Sequence, residues 1–89
     1  MSDKNVKTIK VTILNREQVV YQGEVLSVTS VNDKGPFDIL PHHQNFISLI
    51  REKIVIRPVE GKPFQYQIKG GLLQVLADQV RIFLGIISG

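Results

Sequence analysis

The sequence predicts an all-β fold: a flattened antiparallel β-sandwich or barrel of about ten short strands. Three observations carry this. The chain holds eleven Val, eleven Ile and three Thr among 89 residues. These β-branched side chains lose rotamer freedom in helices but pack well on a pleated sheet. Alanine, the best helix former, occurs once, at Ala77. Apolar residues alternate with polar ones in short runs, and turn-forming residues interrupt the runs.

The elements follow in order. Residues 1–5 are polar and expected to fray. From Val6 to Leu14, Ile9, Val11 and Ile13 share one face and Thr8, Lys10 and Thr12 the other, the pattern of a half-buried strand. Asn15-Arg16-Glu17 turns. Gln18 to Gln22 reads as a short strand, Gly23 as a bulge or strand switch, and Glu24 to Val31 as a further strand with Leu26 and Val28 on one face. Asn32-Asp33-Lys34-Gly35-Pro36 is the clearest loop. Phe37 to Leu40 is a short strand that Pro41 stops. Residues 42–50 pass from polar to apolar and suit either a strand or one helical turn. Lys53 to Val59 alternates, with Ile54 and Ile56 together. Glu60-Gly61-Lys62-Pro63 is a hairpin turn, and Phe64, Tyr66 and Ile68 form the next apolar face. Gly70-Gly71 permits a bulge or a close backbone approach. Leu72 to Leu76 and Val80 to Leu84 complete the strands around the turn Ala77-Asp78-Gln79.

Composition narrows function. At 89 residues the chain is one domain. The absence of cysteine excludes disulfide scaffolds, thiol nucleophiles and cysteine metal sites. Met1 to Lys10 is polar and basic with no apolar segment behind it, so no signal peptide is expected. The apolar stretch Ile82 to Ile87 is far short of a membrane span. The net charge of +3 is scattered, and with two Tyr, four Phe and no Trp nucleic-acid binding is not expected.

The inventory for chemistry is thin. His42 and His43 are neighbours, so on a strand they point to opposite faces, and no third ligand suggests itself; no metal is expected. Ser27, Ser30 and Ser48 lie in no nucleophile elbow. Glu17, Glu24, Asp33 and Asp38 could pair in space, but no spacing requires it. Gly70-Gly71 is not followed by the Lys-Ser or Lys-Thr of a phosphate loop. The residues alone support a small β binding module without catalytic residues or cofactor.

One segment is more specific. Gly35-Pro36-Phe37-Asp38-Ile39-Leu40-Pro41-His42-His43 resembles the Gly-x-(Phe/Leu)-Gly-Ile-Leu-Pro-Gly-His segment of the epsilon subunit of F-type ATP synthases. Residues 17–25 resemble that family's first hairpin, in which a glycine follows an aromatic by two. Residues 67–75 resemble its Ser-Gly-Gly-(Phe/Ile)-x-Glu-Val strand, and residues 80–84 fall at the last strand of its N-terminal β-sandwich. The similarity covers about residues 7–84, in family order. Family chains continue into a helical hairpin that can bind ATP and inhibit rotation; nothing in this sequence resembles that hairpin, and no nucleotide-binding residue carries over.

The resemblance implies a ten-stranded sandwich at the foot of the central stalk of a rotary ATP synthase. Such a subunit binds the gamma subunit and the ring of c subunits, and couples proton or sodium transport to ATP synthesis without chemistry of its own. It is peripheral, on the cytoplasmic face of the cell membrane, and meets the membrane only through the complex. By position, Lys34, Gly35, Pro36 and Phe37 would touch the c ring. Asn15, His43, Phe46, Ile47 and Ser48 would face gamma. Lys34 and Pro36 stand where the family often has acidic residues, Asp38 and His42 where it has glycines, and Lys69 where it has serine. Two rivals remain open: a free-standing sandwich binding a ligand or peptide at an open edge, for which the apolar C-terminus is a candidate, and a small enzyme with a carboxylate pair.

Overall fold

Side chains on a strand alternate between faces, so the series Ile9, Val11, Ile13 must bury one side of its strand. The computed structural model, which describes residues 7–85, places these three inward on β1 (Ile9–Leu14). Five strands follow: β2 (Val19–Asn32), β3 (Gly35–Ile39), β4 (Phe46–Pro58), β5 (Phe64–Leu76) and β6 (Gln79–Leu84). The expectations for residues 1–5 and for the apolar tail after Gly85 lie outside the described residues.

The strands form one sheet in the order β1-β6-β5-β4-β2-β3, and β1 also pairs with β2, which closes it. Every pairing is antiparallel except β1 with β6. Parity requires this. The closed ring contains five strands, β1, β6, β5, β4 and β2. Directions cannot alternate around an odd ring, so one pairing in the otherwise antiparallel sheet runs parallel.

Where about ten short strands are expected, the described residues form six, because three are long. β2 has 14 residues, and β4 and β5 have 13 each. Each serves two layers. One layer runs from the first half of β2 through β1, β6 and the second half of β5 to the first half of β4. The other runs from β3 through the second halves of β2 and β4 to the first half of β5. The crossings coincide with register shifts at Val25/Ser27, Ser30/Val31 and Ile50/Glu52. A bulge re-aims a strand and adds twist, so it is the device that carries one strand from layer to layer.

The bulges also correct two readings of β2. The strand switch is not at Gly23, which pairs with Val11 in regular register. It comes at Leu26, which the β4 register skips. Val25 and Val28, three residues apart, are therefore both buried, in place of a Leu26–Val28 pair. Gly23 answers a local need instead: a Cβ there would meet the Tyr21 hydroxyl at 2.9 Å.

Among the described residues fourteen apolar side chains are buried, and all but Leu73 are Val or Ile. The β-branched composition is thus the core itself. The loop expected over residues 32–36 shrinks to the turn Asp33-Lys34, since Asn32 already pairs with Gly35. Pro36 sits on β3, whose outer edge is unpaired among the described residues, a position where a missing N–H costs no ladder bond.

Candidate docking surface

At two edges where the layers meet, no backbone ladder joins them among the described residues, and aromatic side chains close the gaps. One seam holds Tyr21, Phe64 and Tyr66, with ring centroids 5.4 and 5.9 Å apart. The other lies between β3 and the first half of β4, where Phe37 meets Phe46 edge-on at 5.9 Å. His43 covers Phe46 at 5.0 Å, and its Nδ1 lies 2.8 Å from the Gln44 carbonyl. Asn32 Nδ2 donates to Ser48 Oγ across the same seam, at 3.1 Å.

This second seam gathers most residues expected to touch partners. Phe37, His43 and Phe46, with Asn32, Gln44 and Asn45, line an open concavity of about 280 Å³. Lys34, Phe46, Ile47 and Ser48, with Asn32, Asp33 and Leu49, line an adjoining one of about 410 Å³. Lys34 and Phe37 of one expected set and His43, Phe46, Ile47 and Ser48 of the other therefore line adjoining concavities that meet at Phe46, while Gly35 and Pro36 line neither. Within it their exposures differ. Phe46 and Ser48 turn inward and are half-buried, whereas Ile47 is 62% exposed.

Asn15 stands apart. It follows β1 at the end where Leu14 pairs with Phe83, whereas the loop of His42 and His43 lies at the opposite end, where Lys10 pairs with Gln79. The Asn15 Oδ1 accepts hydrogen bonds from the amides of Glu17 and Gln18, at 2.8 and 2.9 Å. Its carboxamide builds its own turn.

The loop between β3 and β4 is held from three sides. The His43 amide donates to the Leu40 carbonyl at 3.1 Å, with Pro41 and His42 between them. His42 has φ 68°. Proline second and positive φ third are the marks of a type II turn, and glycine is the residue that fits the third place. The His42 amide also donates to Asp78 Oδ1 at 3.1 Å, and Asn45 Oδ1 accepts from the Ala77 amide at 2.7 Å. Asp38, by contrast, lies in regular register opposite Thr29, whose hydroxyl donates to its carboxylate.

The sequence reading missed a second feature. Leu49, Leu72, Phe83, Leu14 and Val19 lie opposite one another across five successive strands. All five are exposed or half-exposed, while their neighbours Ile50, Leu73, Ile82 and Ile13 are buried. At about 4.8 Å per strand, the row spans about 19 Å of the outer face. Its ends adjoin Asn15, which follows Leu14, and Ile47, two residues before Leu49. The signal was present in the alternation: Leu14 falls on the side of β1 assigned to solvent.

Among the described residues no cluster of three or more metal-ligating side chains is present, and no helix is long and apolar enough to cross a membrane.

Comparison with known proteins places this architecture. Residues 8–86 match the family described as ATP synthase, Delta/Epsilon chain, beta-sandwich domain. The ATP synthase epsilon chain of Xylella fastidiosa is 32% identical over 78 residues, covering 86% of this chain and 56% of that one. That of Nitratiruptor sp. is 33% identical over 73 residues, covering 81% and 57%. The present chain thus spans just over half the length of these relatives. A chain in the Euglena gracilis mitochondrial ATP synthase structure of OSCP, F1 and c-ring has the same fold, with a TM-score of 0.80 at 22% identity over 86% of this chain and 50% of that one. A chain in the central stalk and c-ring structure of the Tetrahymena thermophila enzyme gives 0.70 at 16% identity, over 84% and 61%. With its closed two-layer sheet and a family match over nearly its whole length, the chain belongs to the delta/epsilon family of ATP synthase subunits, through that family's β-sandwich domain.

Proposed function

We propose that this chain is a non-catalytic central-stalk subunit of a rotary ATP synthase, bound to the gamma subunit and to the c ring. The observation that carries the reading is the family match over residues 8–86, joined to a surface suited to docking. The apolar row from Val19 to Leu49 lies along the gamma subunit, with Asn15 and Ile47 at its margins and His43, Phe46 and Ser48 shaping the adjoining seam. The β2–β3 hairpin, with Lys34, Gly35, Pro36 and Phe37, faces the c ring. The subunit transmits torque by binding both partners at once. It sits peripherally on the membrane face that carries the catalytic head, the cytoplasmic face of the cell membrane.

Pull-down of the tagged full-length protein from its native membranes, with mass identification of what accompanies it, tests this. Recovery with gamma and c subunits is expected. Recovery alone, from membranes whose ATP synthase is intact and carries another epsilon subunit, refutes the stalk reading and favours a ligand-binding sandwich.

A further inference from the structure

The outer face beside the apolar row carries one charge. One row along, the register sets Gln22, Thr12, Arg81, Gln74 and Ile47 opposite one another across the same five strands. Of the ten positions in the two rows, Arg81 alone is charged. It is exposed, and with Gln74, Leu76, Ala77 and Gln79 it lines a concavity of about 280 Å³ on the β5–β6 hairpin. The carboxylates of the neighbourhood are occupied elsewhere. Glu24, on the next row, accepts from the Thr8 hydroxyl at 3.0 Å, and Asp78, in the hairpin turn, accepts from the His42 amide. Among the described residues no ion pair engages the Arg81 guanidinium.

Adjacent rows on one face of a sheet lie about 7 Å apart, so a partner laid along the apolar row covers Arg81 as well. A guanidinium taken out of water is costly unless it is paired. Its planar fork matches a carboxylate, which it binds through two parallel hydrogen bonds. We infer that the concavity receives an acidic side chain of the gamma subunit, its carboxylate held by the Arg81 guanidinium and flanked by the Gln74 and Gln79 carboxamides. The inference rests on the stalk reading above and names the chemistry at one point of its gamma contact. The apolar row supplies area without register. Arg81 supplies register, and is the specificity-determining residue of this face. It accepts a gamma surface with a carboxylate at this point. It rejects a neutral one, which leaves the guanidinium buried and unpaired, and a basic one, which repels it.

Titration of the full-length protein against its cognate gamma subunit tests this. Arg81→Gln is expected to weaken binding about three- to fivefold and Arg81→Glu about tenfold or more at low salt, with the loss from Arg81→Glu shrinking as salt is raised. Lys62→Glu, on the β4–β5 turn, is the control for net charge and is expected to leave affinity unchanged. Arg81 is exposed, so the variants are expected to melt with the wild type. The partner is found by exchanging the surface Asp and Glu residues of gamma for Lys one at a time. One exchange is expected to weaken binding of the wild type and to restore most of the affinity of Arg81→Glu.

Two results overturn the inference while leaving the stalk reading intact, provided the wild type binds gamma. One is Arg81→Glu binding gamma as tightly as the wild type. The other is a loss that Lys62→Glu reproduces, or that no exchange on gamma repairs. Failure of the wild type to bind gamma at all overturns the stalk reading and this inference with it.

Discussion

The buried hydroxyl of Ser30 donates a 2.7 Å hydrogen bond to the main-chain carbonyl of Lys53. Two register shifts meet there. β2 shifts against β4 between Ser30 and Val31, and β4 shifts against β5 between Ile50 and Glu52, where Glu52 takes φ 74°. A strand that changes layers breaks its ladder, and a carbonyl freed inside a protein costs free energy unless it finds a donor. Ser30 supplies that donor from the neighbouring strand.

Ser30→Ala is therefore expected to destabilise the fold by about 0.5–1.5 kcal/mol, the net worth of a hydrogen bond to a half-buried carbonyl. Urea unfolding checks it. A change below about 0.5 kcal/mol would mean that water reaches the Lys53 carbonyl and the bend does not need the serine.

Two glycines separate space from flexibility. A Cβ on Gly71 would lie 2.9 Å from the Phe83 carbonyl oxygen, an atom of the paired backbone that cannot move without parting β5 from β6. A Cβ on Gly23 would meet the Tyr21 hydroxyl at the same distance, but that is the tip of a side chain. Gly71→Ala is expected to cost about 1–3 kcal/mol, the usual range for overpacking, and Gly23→Ala clearly less. Thermal unfolding of both variants orders them; the reverse order would refute the argument.

At His42 a side chain occupies a glycine position. Left-handed backbone costs a non-glycine residue about 1–2 kcal/mol, and glycine returns part of that through the greater freedom of its unfolded chain. His42→Gly is expected to raise stability by about 0.5–1 kcal/mol. The Asp78 and Leu40 bonds that hold the turn are made by or to the backbone and survive the change. A loss of stability would show that the imidazole contributes contacts worth more than the strain.

Much of this architecture was legible before the structure. Ile9, Val11, Ile13, Ile54, Ile56, Val80 and Ile82 fall where alternation puts them, because each lies on a segment without a bulge. Leu26 and Val28 do not, because a bulge shifts the phase by one residue and no side chain announces it. Gly23 drew attention away from the true bend, since a glycine required by a neighbouring phenol looks in sequence like a glycine required by a bulge. The parallel β1–β6 pairing follows from ring closure, a property of the whole chain that no local window holds. The seam residues were named individually, but their meeting with Lys34 and Phe37 at Phe46 depends on which layer edges meet. The row from Val19 to Leu49 draws one residue from each of five strands. It became visible only once the register was known.

The seam and the row make separable demands, and that separation tests the docking surface. Phe46 holds the β3–β4 seam against Phe37 and His43, so Phe46→Ala is expected to cost about 1–2 kcal/mol of stability and to weaken partner binding as a consequence. Ile47 and Leu49 project outward. Threonine at either position keeps strand propensity while removing apolar area, so stability is expected to stay within about 0.5 kcal/mol of wild type. If the row lies along gamma, the double variant Ile47→Thr, Leu49→Thr is expected to lose about tenfold or more in affinity for the gamma subunit, the scale of a truncated interface anchor. Calorimetry on the free protein and titration against purified gamma read the two effects independently. Unchanged affinity in the double variant, with its melting temperature preserved, would remove this end of the outer face from the interface and leave only the seam as the gamma contact.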